Sequence, residues 1–280
     1  MHVGLMMFAT AASVPVASLA QRAEALGYDS LWLPDHPAIP VGFQTPFIGG
    51  GPMPEHYKHM LDPFVALAAA AGASQRLKLG TAITLVPERE PLVQAKQVAT
   101  LDLVSQGRFL FGIGAGWLRE ESELLGVDFP RRWGQTRDFV RAMQALWTQE
   151  EASHDGPFTR FPPVWSHPKP VQKPHPPILI AGIGPGAPQR VAEYGDGWIP
   201  FHHGSTPDSI AAGRKAIEAM FRERGRNASR LDVTLFGCRP ERAELRRWAD
   251  AGVTRVLLVL QPRPAQDTLQ HIERLAAQVL

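Results

Sequence analysis

The amino-acid sequence predicts one domain with the TIM (β/α)8 barrel fold, on three observations. The length, 280 residues, lies near the roughly 250 residues usual for such a barrel. A local joint recurs at ALGYDSLWL (25–33), SQGRFLFG (105–112), EYGDGWIPF (193–201) and DAGVTRVLLVL (250–260), where a helical pattern ends near glycine, a short turn follows and an apolar strand begins. Glycine just past a helix end adopts the left-handed conformation cheaply, and the β-branched or aromatic run after it suits a buried parallel strand. Finally, eight apolar runs alternate with helical patterns, which favours a closed barrel over an open doubly wound sheet.

In chain order, strands are expected near 3–8, 29–33, 77–84, 108–113, 177–182, 197–201, 231–237 and 254–260. Val16, Leu19, Ala20, Ala23 and Leu26 follow the spacing of one helical face, and Pro91 stands where a first helical turn tolerates proline. Further helices are expected over about 62–73, 133–148, 186–194, 207–224, 240–250 and 265–279. Two irregular stretches interrupt the alternation. Residues 36–60 follow the second strand, so in a barrel they lie on the carboxyl face and read as a substrate lid. Residues 149–177 are too proline-rich for a regular helix and read as an insertion with a short hairpin around Thr159 to His167.

Composition narrows the function. Lysine plus arginine number 29 against 27 acids, with no basic stripe interleaved with aromatics, so a nucleic-acid partner is not expected and a small-molecule substrate is. The single Cys238 cannot form an intrachain disulfide and reads as an inert thiol in a reducing compartment. The opening MHVGLMMFATAASVPVASLA imitates a secretory signal but lacks its basic n-region, and no run of about 18 apolar residues occurs elsewhere. A cytoplasmic protein with no membrane contact is expected.

Strand carboxyl ends feed the active site of a barrel. Here they carry Phe8, Asp35-His36, Ala82-Ile83-Thr84, Gly114-Ala115-Gly116-Trp117, Ala181-Gly182-Ile183-Gly184 and Phe201-His202-His203. Several are small or glycine-rich, which suits a broad flat ligand lying against backbone. The run FLFGIGAGWLRE (109–120) fails as a dinucleotide fingerprint because Trp117 occupies the position of its last glycine. AGIGPGAPQ (181–189) either exposes N–H groups to a phosphate at a helix start or is an ordinary βα turn. Asp35-His36 places an imidazole at the mouth, as a proton-exchanging group or as a loop residue bonded to backbone. His202 and His203 are adjacent on a strand and point to opposite faces, so they do not readily share one ion, and no metal site is expected.

The stretches AEALGYDSLWLPDH (23–36), LKLGTAITLVPEREPLVQAKQVATLDLVSQGRFLFGIGAGW (77–117), FPRRWGQTRD (129–138) and PKPVQKPHPPILIAGIGPGAPQRVAEYGDGWIPF (168–201) together resemble the luciferase-like monooxygenase superfamily, in its branch of oxidoreductases that use the deazaflavin coenzyme F420. The resemblance covers about residues 1–201 and implies a TIM barrel with an insertion. It implies a non-proline cis peptide at Ala82–Ile83 supporting the cofactor ring, a phosphate site over Ala181 to Gly184, and Ala115 and Gly116 beside the cofactor. It also implies hydride transfer between F420 and a small organic substrate, with His36 exchanging a proton and Asp35 orienting it. Some of those enzymes place a glutamate acid where this chain has Trp117. Other superfamily members use FMN as monooxygenases, and some bind flavin without catalysis. The acidic tail of F420 would find Arg119, Lys169, Lys173 and Arg190 as possible partners. Phe43, Phe47, Met53, His56 and Tyr57 in the lid hint at an apolar substrate, and dimerisation is common in the family.

Overall fold

The computed structural model describes all 280 residues. Parallel strands β1 (His2–Met7), β2 (Ser30–Leu33) and β3 (Lys78–Thr81), the last continued by β4 (Thr84–Leu85), lead to β5 (Phe109–Gly114). An antiparallel hairpin of β6 (Ala152–Asp155) and β7 (Arg160–Val164) lies outside the barrel, which resumes with β8 (Ile178–Ala181), β9 (Gly197–Ile199), β10 (Asp232–Phe236) and β11 (Arg255–Leu260). The ring closes by β11 on β1, in register from His2 opposite Arg255 to Met7 opposite Leu260. It is an eight-stranded parallel barrel, as the alternation of apolar runs and helices predicts.

Around it pack α1 (Val16–Leu26), α2 (Pro63–Ala73), α3 (Pro91–Val104), α4 (Arg119–Leu124), α5 (Arg132–Thr148), α6 (Ala187–Tyr194), α7 (Pro207–Glu223), α8 (Arg242–Asp250) and α9 (Ala265–Val279). Their starts are written locally: Pro63, Pro91 and Pro207 open α2, α3 and α7, each preceded by a side chain, Asp62, Glu90 or Thr206, that accepts a first-turn N–H. Gly27 ends α1 at φ 90°, returning its N–H to the carbonyls of Ala23 and Glu24.

Apolar burial is divided between two layers. The larger lies between strands and helices and includes Phe109, Phe111 and Trp147. The smaller fills the barrel with Met6, Phe8, Trp32, Ala82, Leu110, Leu179, Ala181, Ile199 and Leu257. Trp32 occupies so much of this interior that a Cβ on Gly80 would lie 2.2 Å from its ring. Beneath it, at the amino-terminal end of the strands, Arg255 bonds Asp29 at 2.8 Å and Asp232 at 2.7 Å. This ion-paired floor seals one end and leaves the carboxyl-terminal mouth for ligands.

The third strand is interrupted by a cis peptide at Ala82–Ile83, at the bond that the resemblance implied. Two other local features differ from the sequence reading. The hairpin begins at Ala152 rather than near Thr159, because the Asp138 carboxylate on α5 accepts from His154 Nε2 and from the N–H groups of Phe158 and Thr159 and so pins its turn. The short helix α4 and the 3-10 turn Val86–Glu88 are absent from the elements that the sequence predicts, and both carry residues of the site.

Candidate active site

The mouth holds a cavity of about 720 Å³. Phe8, Asp35, His36, Ala82, Ile83, Ala115, Gly116, Trp117, Ala181, Gly182 and Ile183, all expected from the sequence, line it. Thr84 and Gly184 do not; Thr84 is fully buried within β4 with its hydroxyl unpartnered. From residues 36–60 come Phe47, Ile48 and Tyr57, whereas Phe43, Met53 and His56 stay outside the lining. His56 instead packs its ring 4.5 Å from that of Phe8, and burial lowers its pKa.

The alternate glycines of β5 are now explained. A Cβ on Gly112 would lie 2.0 Å from the Thr81 carbonyl oxygen, and one on Gly114 would lie 2.7 Å from the Ile83 side chain. Bare backbone therefore lets β5 lie against the cis bulge. Gly116 has φ +83°, and a Cβ there would meet Glu88. Nothing in the protein lies within 4 Å of a Cβ on Gly182 or Gly184, so the space beside both is open, and at Gly182 it borders the cavity. The N–H groups of Ile183, Gly184 and Gly186, ahead of α6, donate to no backbone acceptor, an arrangement that suits an anion at the positive end of the helix dipole.

His36 is held at both ring nitrogens. Its Nδ1 lies 2.5 Å from Glu121 Oε2, and its Nε2 lies 3.2 Å from Trp117 Nε1. An indole nitrogen can only donate, so Nε2 accepts and the imidazole proton sits on Nδ1, directed at Glu121. The side chains of His36 and Glu121 are 5% and 0% exposed, and Glu121 also accepts from Ala38 N–H. The expectation that Asp35 orients the imidazole is corrected. Asp35 is committed to Arg89 through two bonds of 2.8 and 2.7 Å and to the Leu85 N–H, while Glu121 on α4 takes the orienting place.

Its neighbour Glu120 grips the covering segment, accepting from the N–H groups of Gln44 and Thr45 and from the Thr45 hydroxyl. That hydroxyl bond first, then the backbone N–H of Gln44, pulls its carboxyl down to about 2. An aromatic cage completes this side: Tyr57 lies 5.6 Å from His36 and 5.2 Å from Phe47, which lies 5.5 Å from Trp117.

Behind His36, Glu88 is buried with Oε1 accepting from the Ser122 hydroxyl at 2.6 Å and Oε2 unpartnered. Burial first, then the charges of Glu121 and Asp35, push its carboxyl up to about 8 against the opposing Ser122 bond and Arg89. Because the folded state keeps this proton after the unfolded state has lost it, stability should fall as pH rises from the ordinary carboxylate range to about 8. Glu88→Gln should flatten that fall, which urea melts at about pH 6 and about pH 8 would check. An equal slope in the variant would show that Glu88 ionises normally.

On the opposite wall, His202 lines the cavity with Nε2 2.7 Å from Glu244 Oε1. Burial raises the Glu244 carboxyl, but bonds from Trp248 and His202 outweigh it and hold the group low. Cys238 lies 3.7 Å from the same carboxylate, and burial pushes its thiol up to about 12, consistent with an inert group.

The basic residues sort themselves. Lys169 donates to the carbonyls of Leu146 and Gln149 and Lys173 to that of Pro170, so each ammonium has one or two of its three N–H groups tied to backbone. Arg119 pairs with Glu123 in an exposed bridge, whereas Arg190 stacks 3.9 Å from the Trp133 ring without a carboxylate partner. Arg132 was missed from sequence. It lines the cavity, bonds the carbonyls of Gly116 and Phe129, and has its pKa lowered by burial first and then by Arg119 and Arg190. Arginines that repel one another at a rim are relieved by an anion.

The profile of the family described as luciferase-like monooxygenase matches residues 8–278. An uncharacterised protein of Mycobacterium tuberculosis is 38% identical over 285 residues, covering 100% of this chain and 99% of that protein. The FMNH2-dependent dimethylsulfone monooxygenase of Pseudomonas putida is 32% identical over 171 residues, 60% of this chain and 46% of that protein. The F420-dependent glucose-6-phosphate dehydrogenase of Kineococcus radiotolerans is 30% identical over 251 residues, 85% of this chain and 69% of that protein. In fold, a monooxygenase from Streptomyces bottropensis superposes with a TM-score of 0.80 at 20% identity, covering 100% of this chain and 98% of that one. No helix is long and apolar enough to cross a membrane. With its barrel, its interrupted third strand and a profile match over nearly the whole chain, the protein belongs to the luciferase-like monooxygenase family.

Proposed function

We propose that the protein is an oxidoreductase that moves a hydride between coenzyme F420 and a small, uncharged organic substrate, with His36 exchanging the accompanying proton. The observation that carries this reading is the imidazole fixed between Trp117 and Glu121 in an otherwise largely apolar mouth. The site fits a flat ring with an anionic tail: a cavity of about 720 Å³, a bulge at its floor, open backbone at Gly182 and Gly184, and unpaired arginines at the rim. When bound, the deazaflavin would supply a two-electron hydride acceptor or donor, leaving positioning and proton handling to the protein.

His36 Nε2, bonded to the cavity-lining Trp117, is the atom that takes up the substrate proton, breaking the Trp117 bond as it does so; in the reverse direction it returns that proton. Glu121, bonded at Nδ1, stabilises the imidazolium formed. The aromatic cage of Phe47, Tyr57 and Trp117 excludes water and receives the apolar part of the substrate. The wall formed by Phe201, His202, His203 and Phe236 carries no lysine or arginine, which disfavours phosphorylated substrates.

Equilibrium titrations of the purified protein with F420 and with FMN, followed by fluorescence, test the cofactor. Micromolar or tighter binding of F420 with weak FMN binding is expected, and preferential FMN binding would overturn the reading in favour of oxygen-dependent monooxygenation, which the dimethylsulfone monooxygenase relative supports. Arg132→Met should weaken F420 binding by roughly 5- to 30-fold, the worth of one charge-assisted contact. An unchanged affinity would remove Arg132 from the anion site.

A further inference from the structure

We propose that His202, held by Glu244 on the wall opposite His36, accepts a hydrogen bond from a hydroxyl of the substrate, and that the substrate is therefore an uncharged organic molecule bearing a hydroxyl remote from the carbon that reacts at His36. The role of His36 rests on the hydride-transfer reading above, whereas the contact at His202 does not depend on the cofactor.

His36 follows β2 and His202 follows β9, the second and sixth of the eight barrel strands, so the two residues stand across the ring from each other. Both line the cavity. His202 is fixed in three ways. Its backbone N–H donates to the Phe236 carbonyl at 2.9 Å, its Nε2 lies 2.7 Å from Glu244 Oε1, and its ring meets that of Trp248 in a T-shaped contact at 5.5 Å. The Glu244 side chain is only 8% exposed, and the same oxygen also accepts from Trp248 Nε1 at 3.3 Å and from the Cys238 thiol at 3.7 Å. An ionised carboxylate can only accept, so the proton of the His202 ring sits on Nε2 and Nδ1 keeps its lone pair. Nδ1 has no partner in the protein and is not buried. A firmly held ring on a cavity wall thus offers one unused acceptor.

The surroundings define what can use it. Phe201 and Phe236 pack 5.5 Å apart on the same wall, and Gly237 borders the cavity without a side chain, so an aliphatic or aromatic chain reaches His202 over apolar surface. A substrate carboxylate or phosphate would meet a lone pair with the charge of Glu244 behind it, which costs binding. A substrate ammonium would find no free carboxylate, because Glu244 already takes three donors and Asp35 is committed to Arg89. A hydroxyl is the neutral group that satisfies Nδ1, and a site built to take that bond discriminates against a molecule that lacks it.

The test compares two probes in the full chain labelled with 15N at histidine: hexanediol with a hydroxyl at each end, and the same molecule with one hydroxyl capped as its methyl ether, which can accept but not donate there. The free protein should show the His202 proton on Nε2. The diol should bind roughly 2- to 10-fold more tightly than the ether, the worth of one hydrogen bond, and it alone should move the Nδ1 resonance of His202. His202→Phe keeps a ring on the wall, removes the acceptor and should erase that preference, an effect that loss of a purely structural residue would not produce. Should this variant fail to fold with Glu244 left unpaired, the Nδ1 resonance of the parent protein decides by itself. A proton on Nδ1, equal affinity for the two probes or an unmoved Nδ1 resonance would overturn the contact. Repeated with F420 present, the shift should persist; its loss would give this wall to the cofactor and overturn the substrate contact. Failure of F420 to bind would leave the first titration intact, and a contact that fails there leaves the F420 reading intact.

Discussion

Replacing His36 by alanine is expected to lower turnover by roughly 10²- to 10⁴-fold, the range for a positioned acid-base group, while cofactor affinity changes by less than about twofold. The imidazole lines the cavity but supports no strand: its bonds run to the Trp117 and Glu121 side chains. Its loss therefore removes proton exchange without opening the floor formed by Ala82 and Ile83. Glu121→Gln should give a smaller fall, because the amide still orients Nδ1 but no longer offers a full charge to the imidazolium. Steady-state kinetics beside a fluorescence titration separate the two parameters. Retained turnover in His36→Ala would take the residue out of the mechanism, and lost binding would make it a cofactor contact instead.

Much of this was legible because the signals are local. Glycine caps, prolines at helix starts and apolar runs each report on a few neighbouring residues, and together they fix eight βα units and the order of their strand ends. Asp35-His36, Ala82-Ile83, Ala115-Gly116 and Ala181-Gly182 could be placed at the mouth for that reason. Partners were less legible. Glu121 lies 85 residues from His36, in the charged segment REESEL, where nothing sets it apart until α4 turns Glu121 inward and leaves Glu123 outside. The one signal available was its spacing, a single helical turn beyond Trp117. Glu88 hides similarly in VPEREP, and is buried because the 3-10 turn follows directly on the cis bulge. The lysines failed for the converse reason. Sequence reports a charge, but the end of α5 consumes Lys169 by presenting the Leu146 carbonyl to it.

Gly112→Ala is expected to destabilise the fold by about 3 kcal/mol, near the upper end for overpacking, lowering Tm by roughly 6–12 °C. The added Cβ would lie 2.0 Å from the Thr81 carbonyl oxygen and 2.9 Å from Ile199. A long side chain could swing aside, but Thr81 is anchored in register opposite Leu33 of β2 and donates its own hydroxyl to the Gly112 carbonyl at 2.7 Å. Relief must therefore come from moving β5 or the bulge at Ala82–Ile83, and the second of these also deforms the cavity floor. Cofactor affinity should fall together with Tm. Gly184→Ala provides the contrast, since its Cβ meets nothing within 4 Å and Tm should stay nearly constant. If Gly112→Ala melts like the parent protein, strand-to-bulge contact is not what requires glycine there, and the bare backbone of β5 would have to be explained by the approach of a ligand alone.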